Sequence, residues 1–440
     1  MLSLYVQQVN NKMNPVIFHI KELGAVRNSK IELKPLMIFS GESGLGKSYV
    51  AFLVHYLYTL LTSHRLTSFF KERNVDFEFL FEKKQAGQVL LSIPSKELFA
   101  WINKDAINYI GYLIGHENFE GEVEIQFPYT NSTFEFIYDD ELGGIDNNEE
   151  LFYKVELDDF TYRVVSRSFR PEPDLFSDLI RAVLLDAIWG NHRILKHCYL
   201  LPPSRGALME LTERPAFRSG MYDEFFDLKV DLSRPLAKSV EQNSTIVECL
   251  SDVNMGQLQQ VEGRIMYYTK DGAGMPLTAA ASSVKELAPF TMMLNRFSPE
   301  GISILFEEPE AHLHPERQVK VADLIASSIH NGCQMQVTTH SDYFIKRINN
   351  LMKLYFLKER MSSDSFSNLL KKYNIKEDCL INPGNVGAFF LKRTENGYSK
   401  IITQDIFLDN EIPFESFYQV IEDEIQLSGT IMKLFKNKEL

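Results

Sequence analysis

Eight consecutive residues, Gly41-Glu42-Ser43-Gly44-Leu45-Gly46-Lys47-Ser48, fit the pattern G-x-x-x-x-G-K-[ST], a loop able to cradle a phosphate chain. The glycines let successive backbone N–H groups turn inward onto phosphate oxygens, and a helix beginning at the loop's end adds positive dipole. Lys47 would reach the β- and γ-phosphates of ATP, and the Ser48 hydroxyl would ligate Mg²⁺. Gly41 to Ser48, with Tyr49 directly after, are therefore the expected ATP-binding residues. About 250 residues later Ile302-Ser303-Ile304-Leu305-Phe306 runs into Glu307-Glu308, an apolar run ending in two carboxylates. Hydrolysis needs one carboxylate for the metal shell and a second to activate water. Glu307 is assigned to the metal, one methylene longer than the commoner Asp, and Glu308 to the base. A third apolar run, Met335-Gln336-Val337-Thr338-Thr339, ends at His340, which is well placed to touch the γ-phosphate.

The elements that must hold these groups are legible around them. Leu36 to Ser40 reads as a buried strand and Tyr49 to Leu57 as a core helix, so strand, loop and helix follow in the order phosphate binding requires. Val16 to Ile20 and Lys30 to Leu33 alternate about a turn at Gly24, predicting a small antiparallel sheet beside the nucleotide. Cys198 to Leu201 is a second core strand, ended by Pro202-Pro203-Ser204-Arg205. Ser239 to Val253 reads as a polar helix and Gly263 to Leu277 as a hairpin. His312-x-His314 has ligand-like spacing but no accompanying cluster, and reads as a turn before a helix with Pro315 at its first position. Between 67 and 196 the spacing predicts strands at 89–93, 123–127, 134–138 and 162–165. One helix, from Asp174 to about Leu195, accompanies them. After His340, strands at 387–393 and 399–402 and a helix from Phe414 to about Leu427 are expected to cap the core. No heptads are sustained, which excludes a long coiled-coil arm.

Composition narrows the class further. A chain of 440 residues has room for two or three domain-sized units, and 45% hydrophobic with 24% charged residues suits a globular protein. The apolar stretch from Val50 to Leu61 is broken by His55 and is too short for a bilayer span, and no leader pattern opens the chain, so no membrane association is expected. Cys198, Cys249, Cys333 and Cys379 stand apart, as buried thiols in a reducing cytoplasm would. The net charge of −13 is concentrated: Glu117 to Asp159 holds fourteen acidic residues and one basic residue, Lys154, and the remainder balances. Such a patch repels nucleic acid and favours a basic partner, or is simply a solvated face.

Taken together, Gly41–Ser48, Phe306-Glu307-Glu308-Pro309-Glu310-Ala311-His312-Leu313-His314-Pro315 and Thr338-Thr339-His340-Ser341 resemble the ATP-binding-cassette heads of the SMC, RecF and OLD-like ATPases. Tyr199 to Arg205 is similar to a strand and turn of the OLD-like branch. The resemblance implies an α/β SMC-like head with a mostly parallel P-loop core sheet, an N-terminal antiparallel sheet and an inserted α+β region. The implied boundaries are 1–66 for the P-loop part, 67–196 for the insertion, 197–347 for the signature, Walker B and switch-histidine part, and 348–440 for a cap. It further implies a homodimer, or higher homo-oligomer, with ATP held between each P-loop and the partner's signature helix. Here that helix would start at Ala281-Ser282-Ser283-Val284-Lys285-Glu286-Leu287, with Ser282 and Ser283 acting in trans and Val284 standing where a glycine is usual. Ser283-x-x-Glu286 is independently a capping box. Chains of this build resemble the ATPase subunits of bacterial anti-phage systems of the Septu, PARIS and retron kinds, in which a separate nuclease or toxin is the effector. Two alternatives stay open: a DNA repair or recombination factor acting on DNA itself, and a nucleotide-locked scaffold with little turnover.

Overall fold

The computed structural model describes residues 14–143, 150–166, 172–190, 195–234, 243–406, 411–413 and 416–436. Strands β1 (Ile17–Leu23) and β2 (Val26–Glu32) pair antiparallel about Gly24, and β3 (Leu36–Gly41) follows. β3 feeds two cores: Met37 and Phe39 join the apolar cluster on one face of the sheet, Leu36 and Ile38 the cluster on the other. A strand covered on both faces reads as an unbroken apolar run, which is how this one looks in the sequence. Helix α1 (Lys47–Thr62) leaves the loop and is buried without interruption from Val50 to Tyr58. It has no polar face because it lies inside the protein.

The next stretch contains α2 (Leu66–Glu72), α3 (Phe77–Glu82), β4 (Gln88–Pro94), α4 (Ser95–Ile114), β5 (Gly121–Gln126), β6 (Thr133–Gly143), β7 (Glu150–Leu157), β8 (Phe160–Val165) and α5 (Pro173–Trp189). β4, β6, β7 and β8 make an antiparallel sheet in that order. α5 covers it through Phe176, whose ring lies 4.9 Å from those of both Phe77 and Phe136. α5 stops at Trp189, before Gly190, rather than near Leu195; positions 191–194 lie outside the described residues. Two parts of the predicted insertion belong instead to the main body. α4, absent from the expected elements, packs on α1, where the Tyr56 hydroxyl reaches the Ile102 carbonyl (3.1 Å) and the Asp105 carboxylate (2.9 Å). β5 pairs with β1.

The chain continues through β9 (His197–Leu201), α6 (Arg205–Glu210), α7 (Gly220–Ser233), α8 (Ser244–Asn254), β10 (Gly256–Val261), β11 (Arg264–Thr269), β12 (Gly274–Pro276) and α9 (Ser282–Arg296). Then come β13 (Ile302–Glu307), α10 (Pro315–His330), β14 (Gln334–Thr338), α11 (Asp342–Lys358), α12 (Ser363–Lys372), β15 (Val386–Arg393), β16 (Ser399–Thr403) and α13 (Ser416–Lys436). The hairpin expected over 263–277 is a three-stranded sheet, β10-β11-β12. Its first strand, Gly-Gln-Leu-Gln-Gln-Val, carries too little apolar periodicity to stand out. The N-terminal positions of the expected 239–253 helix, 239–242, lie outside the described residues, as do 414 and 415.

One nine-stranded sheet organises the protein, in the order β5-β1-β2-β16-β15-β3-β14-β13-β9. β15, β3, β14, β13 and β9 are parallel to one another. β1 and β2 do not form a separate sheet beside the nucleotide, because β16 joins β2 to β15 and makes the antiparallel part continuous with the parallel part. Nor are the C-terminal strands a cap: β15 lies against the P-loop strand itself, with Phe389 stacked on Phe39 at 5.5 Å. The fold is α/β, a large mixed sheet with helices on both faces and smaller antiparallel sheets beside it. Ligands in such sheets gather at the carboxyl ends of the parallel strands. Here those ends lead to Gly41, His340, Glu308 and Arg205.

Candidate active site

The loop after β3 takes its shape from glycines with positive φ at Gly41 (124°), Gly44 (76°) and Gly46 (94°). Gly41 is also a steric requirement, since a Cβ there would lie 2.4 Å from the Leu391 carbonyl oxygen of β15. Lys47 is 7% exposed, and its Nζ donates to the carbonyls of Gly41 (2.9 Å) and Glu42 (2.7 Å). Burial lowers its pKa to about 8 against the opposing pull of Glu308, Glu310, Glu307 and Glu42. A bound polyphosphate would favour the ammonium form further.

An open cleft lies over this loop, lined by Ser43, Gly44, Gly46, Lys47, Ser48 and Tyr49 together with Ala25, Glu308, Thr338 and His340. The lysine, the proposed base and the histidine are thus brought to one place from three separate strands. Glu42 and Ser43 are exposed in the loop, and Leu45 turns inward and is buried. The Tyr49 ring leaves no room for a side chain at Gly24 and meets Phe119 at 5.5 Å.

Glu307 is 4% exposed, and the Ser48 side chain lies near enough to favour its carboxylate form. Two oxygen donors of the kind Mg²⁺ prefers therefore stand side by side, and the donor set fits the ion. Burial raises the Glu307 carboxyl to about 7, against the pull of the neighbouring Ser48 side chain, with Glu308 adding to the rise. Because the pKa is raised, the group is protonated and a poor metal ligand below about 7, and a carboxylate above it. Mg²⁺-dependent nucleotide binding is therefore expected to strengthen about eightfold between pH 6 and pH 7.5. A Mg²⁺ titration at the two pH values checks this, and an unchanged midpoint would count against Glu307 as the ligand.

Glu308 sits in the left-handed region, at φ 45°. Its N–H donates to the Thr338 carbonyl (3.0 Å). His340 is half-buried, and burial first, then Lys47, lowers its pKa against the pull of Glu308. At neutral pH it is an uncharged imidazole, able to donate one hydrogen bond to a phosphate oxygen.

Two residues of this site went unassigned in the sequence. Glu310 accepts from the Thr339 hydroxyl (2.9 Å) and the His340 N–H (2.7 Å), so it holds the turn that presents the histidine. Its position inside the Glu-Glu-Pro-Glu run was the available signal. Arg205 is fully buried, and its guanidinium donates to the carbonyls of Pro202, Glu286, Glu307 and Glu308. Only its place after Pro202-Pro203-Ser204 marked it.

The start of α9 departs from expectation. Ala281 is the N-cap and no side chain caps the helix. Ser283 Oγ accepts from Arg317 (2.6 Å), and Glu286 turns toward Arg205, 3.6 Å away. The capping box fails because both of its members have other partners. Ser282 is exposed, whereas Val284 is 2% exposed and packs into the core, so its bulk is directed away from the outer surface. Neither Ser282 nor Ser283 lines the cleft of its own chain. The His312-x-His314 segment is a turn, with His312 at φ 59° and His314 as the N-cap before Pro315. Cys249, Cys333 and Cys379 are buried as expected, whereas Cys198 is half-buried beside His55 Nδ1 (3.3 Å). Among the described residues no helix is long and apolar enough to cross a membrane.

A family model described as an AAA ATPase domain matches residues 222–345. The match includes Glu307, Glu308 and His340 and leaves Gly41–Ser48 outside. Among curated proteins none matches the chain. Among solved structures the chain is similar to the SMC head domain from Thermotoga maritima, at 12% identity over 89% of this chain and 100% of that one, with a TM-score of 0.34. It is similar to an Smc head bound to the C-winged helix domain of ScpA, at 12% identity over 90% and 98%, TM-score 0.35. A third is an Smc head with an extended coiled coil from Pyrococcus furiosus, bound to the C-terminal domain of ScpA, at 11% identity over 93% and 98%, TM-score 0.37.

Proposed function

We propose that this chain binds and hydrolyses ATP and that two copies close around the nucleotide to control a separate effector. The observation that carries the ATPase reading is the convergence of Lys47, Ser48, Glu308 and His340 on one cleft, with the buried Glu307 beside Ser48. Lys47 offsets phosphate charge, and Ser48 and Glu307 hold the metal. Mg²⁺, when bound, neutralises charge on the β- and γ-phosphate oxygens. Glu308 takes the proton of the attacking water as its oxygen bonds to the γ-phosphorus and the bond to ADP breaks. His340 donates a hydrogen bond to the γ-phosphate.

The closure reading rests on the exposed start of α9. Its first-turn N–H groups and the Ser282 hydroxyl can face an anion presented by a second copy. Ser282→Arg is expected to leave the monomer folded and to abolish the ATP-dependent rise in mass seen by light scattering in a Glu308→Gln background. Ser282 is the better probe than Ser283, which is engaged by Arg317 within its own chain. An ATP-dependent dimer that survives Ser282→Arg sinks the closure reading.

The effector reading is supported by the acidic segment and by the motif resemblance to anti-phage ATPase subunits. Asp139, Asp140 and Glu141 lie on β6, and Glu122 and Glu124 on β5, so the charge spans two sheets. Part of it is answered within the chain, where Lys154 sits 3.4 Å from Glu156 and Arg163 3.7 Å from Glu141. Replacing Asp139, Asp140 and Glu141 by their amides should leave hydrolysis intact. It should weaken capture of a co-encoded basic partner at about 0.05 M salt more than at 0.3 M, where screening already acts. Capture unchanged by the triple replacement would reduce the segment to a solvated face.

A further inference from the structure

We propose that Arg205 is a positioning residue that sets the turn carrying the catalytic carboxylate and ties that turn to α9. The inference rests on the reading of Glu308 as the base. The guanidinium collects backbone carbonyls from three segments distant in sequence. Nη1 donates to Pro202 (3.0 Å) at the end of β9 and to Glu307 (2.8 Å), Nη2 to Glu308 (3.1 Å), and Nε to Glu286 (2.9 Å) in α9. Its face lies 4.6 Å from the Phe306 ring, and the Glu286 carboxylate approaches Nε to 3.6 Å. That approach is open because residue 206 is glycine, where a Cβ would meet Glu286 Oε1 at 2.7 Å.

A wholly buried arginine with one carboxylate partner is a costly way to hold a fold together, since apolar packing does as well or better. What the arginine adds is a rigid, planar fork whose bonds have fixed relative directions. Glu308 needs that rigidity. A non-glycine residue at positive φ sits in a sparsely populated conformation and persists only where its surroundings over-determine it. Thr338 holds the N–H side of Glu308 and Arg205 holds the carbonyl side. Burial lowers the guanidinium pKa to about 10, opposed by Glu286, Glu310, Glu308 and Glu307, so it stays charged at neutral pH. Glu286 lies one helical turn after Ser282. A shift of α9 on contact with a second copy therefore reaches the Glu308 carbonyl through a single side chain.

Arg205→Lys keeps the charge and loses the fork. Nucleotide affinity is expected to stay within about threefold and kcat to fall at least 30-fold. In a Glu308→Gln background, followed by single-turnover hydrolysis of labelled ATP, Arg205→Lys should cost nothing further, because it acts through that carboxylate. Glu286→Gln, which leaves every carbonyl acceptor in place, should lower kcat about fivefold with binding unchanged. The inference is overturned by turnover within threefold of wild type in Arg205→Lys, by an equal loss in both backgrounds, or by loss of nucleotide binding along with turnover. Unchanged kcat in Glu286→Gln would overturn the part assigned to the Glu286 carboxylate in holding the guanidinium. A wild-type chain that releases no phosphate would instead sink the ATPase reading beneath it.

Discussion

Lys47→Ala should weaken ATP binding by about 100-fold or more. Removing one partner of a hydrogen-bonded charge pair in a partly desolvated site costs roughly 2–5 kcal/mol, and about 3 kcal/mol corresponds to 100-fold in affinity. Lys47 is 7% exposed, and the other charged groups that bear on it, Glu308, Glu310, Glu307 and Glu42, are all carboxylates. Without the ammonium a triphosphate would enter a field dominated by its own sign. Stability without nucleotide should change little, because the two hydrogen bonds from Nζ to the loop carbonyls are lost together with the burden of a buried charge. Titration with a fluorescent ATP analogue, alongside thermal unfolding of the free protein, separates the two effects. A dissociation constant within threefold of wild type would mean that the phosphates do not sit at Lys47.

The second large effect is on turnover. Glu308→Gln is expected to preserve ATP affinity within a few-fold and to lower kcat by about 10²–10⁴, the usual worth of a positioned general base. The amide has the carboxylate's shape and cannot accept the proton. Backbone geometry should survive, since both the Thr338 and Arg205 bonds to residue 308 are made by its main chain. Quench-flow measurement of phosphate at saturating nucleotide reads this directly, and near wild-type release would remove Glu308 as the base. The contrast with Lys47→Ala is diagnostic, because the proposed mechanism has one group act in the ground state and the other only when water attacks.

The site was legible wherever its chemistry is written in consecutive residues. The loop from Gly41 to Ser48, the carboxylates ending β13 and the histidine after β14 each follow a short apolar strand whose partners are parallel and buried, and such strands announce themselves. What sequence hid depends on contacts distant in the chain. β15 takes its place beside β3 through a pairing of Val386 with Leu36, and nothing local distinguishes a strand at a sheet's centre from one laid over it. α4 begins at Ser95, directly after β4 ends at Pro94, so no loop of its own set the helical spacing apart from the strand run before it. The capping box at Ser283 and Glu286 was a sound local rule defeated by stronger distant partners, Arg317 and Arg205. Beyond its place after Pro202-Pro203-Ser204, nothing marked Arg205, because its role consists of bonds to carbonyls of Pro202, Glu286, Glu307 and Glu308.

Release of inorganic phosphate from ATP by the purified wild-type chain, with and without Mg²⁺ and beside Lys47→Ala, tests the central claim most directly. The site described here predicts steady, Mg²⁺-dependent release that Lys47→Ala abolishes. Release that is undetectable in the wild type, or equal in the two proteins, would contradict it.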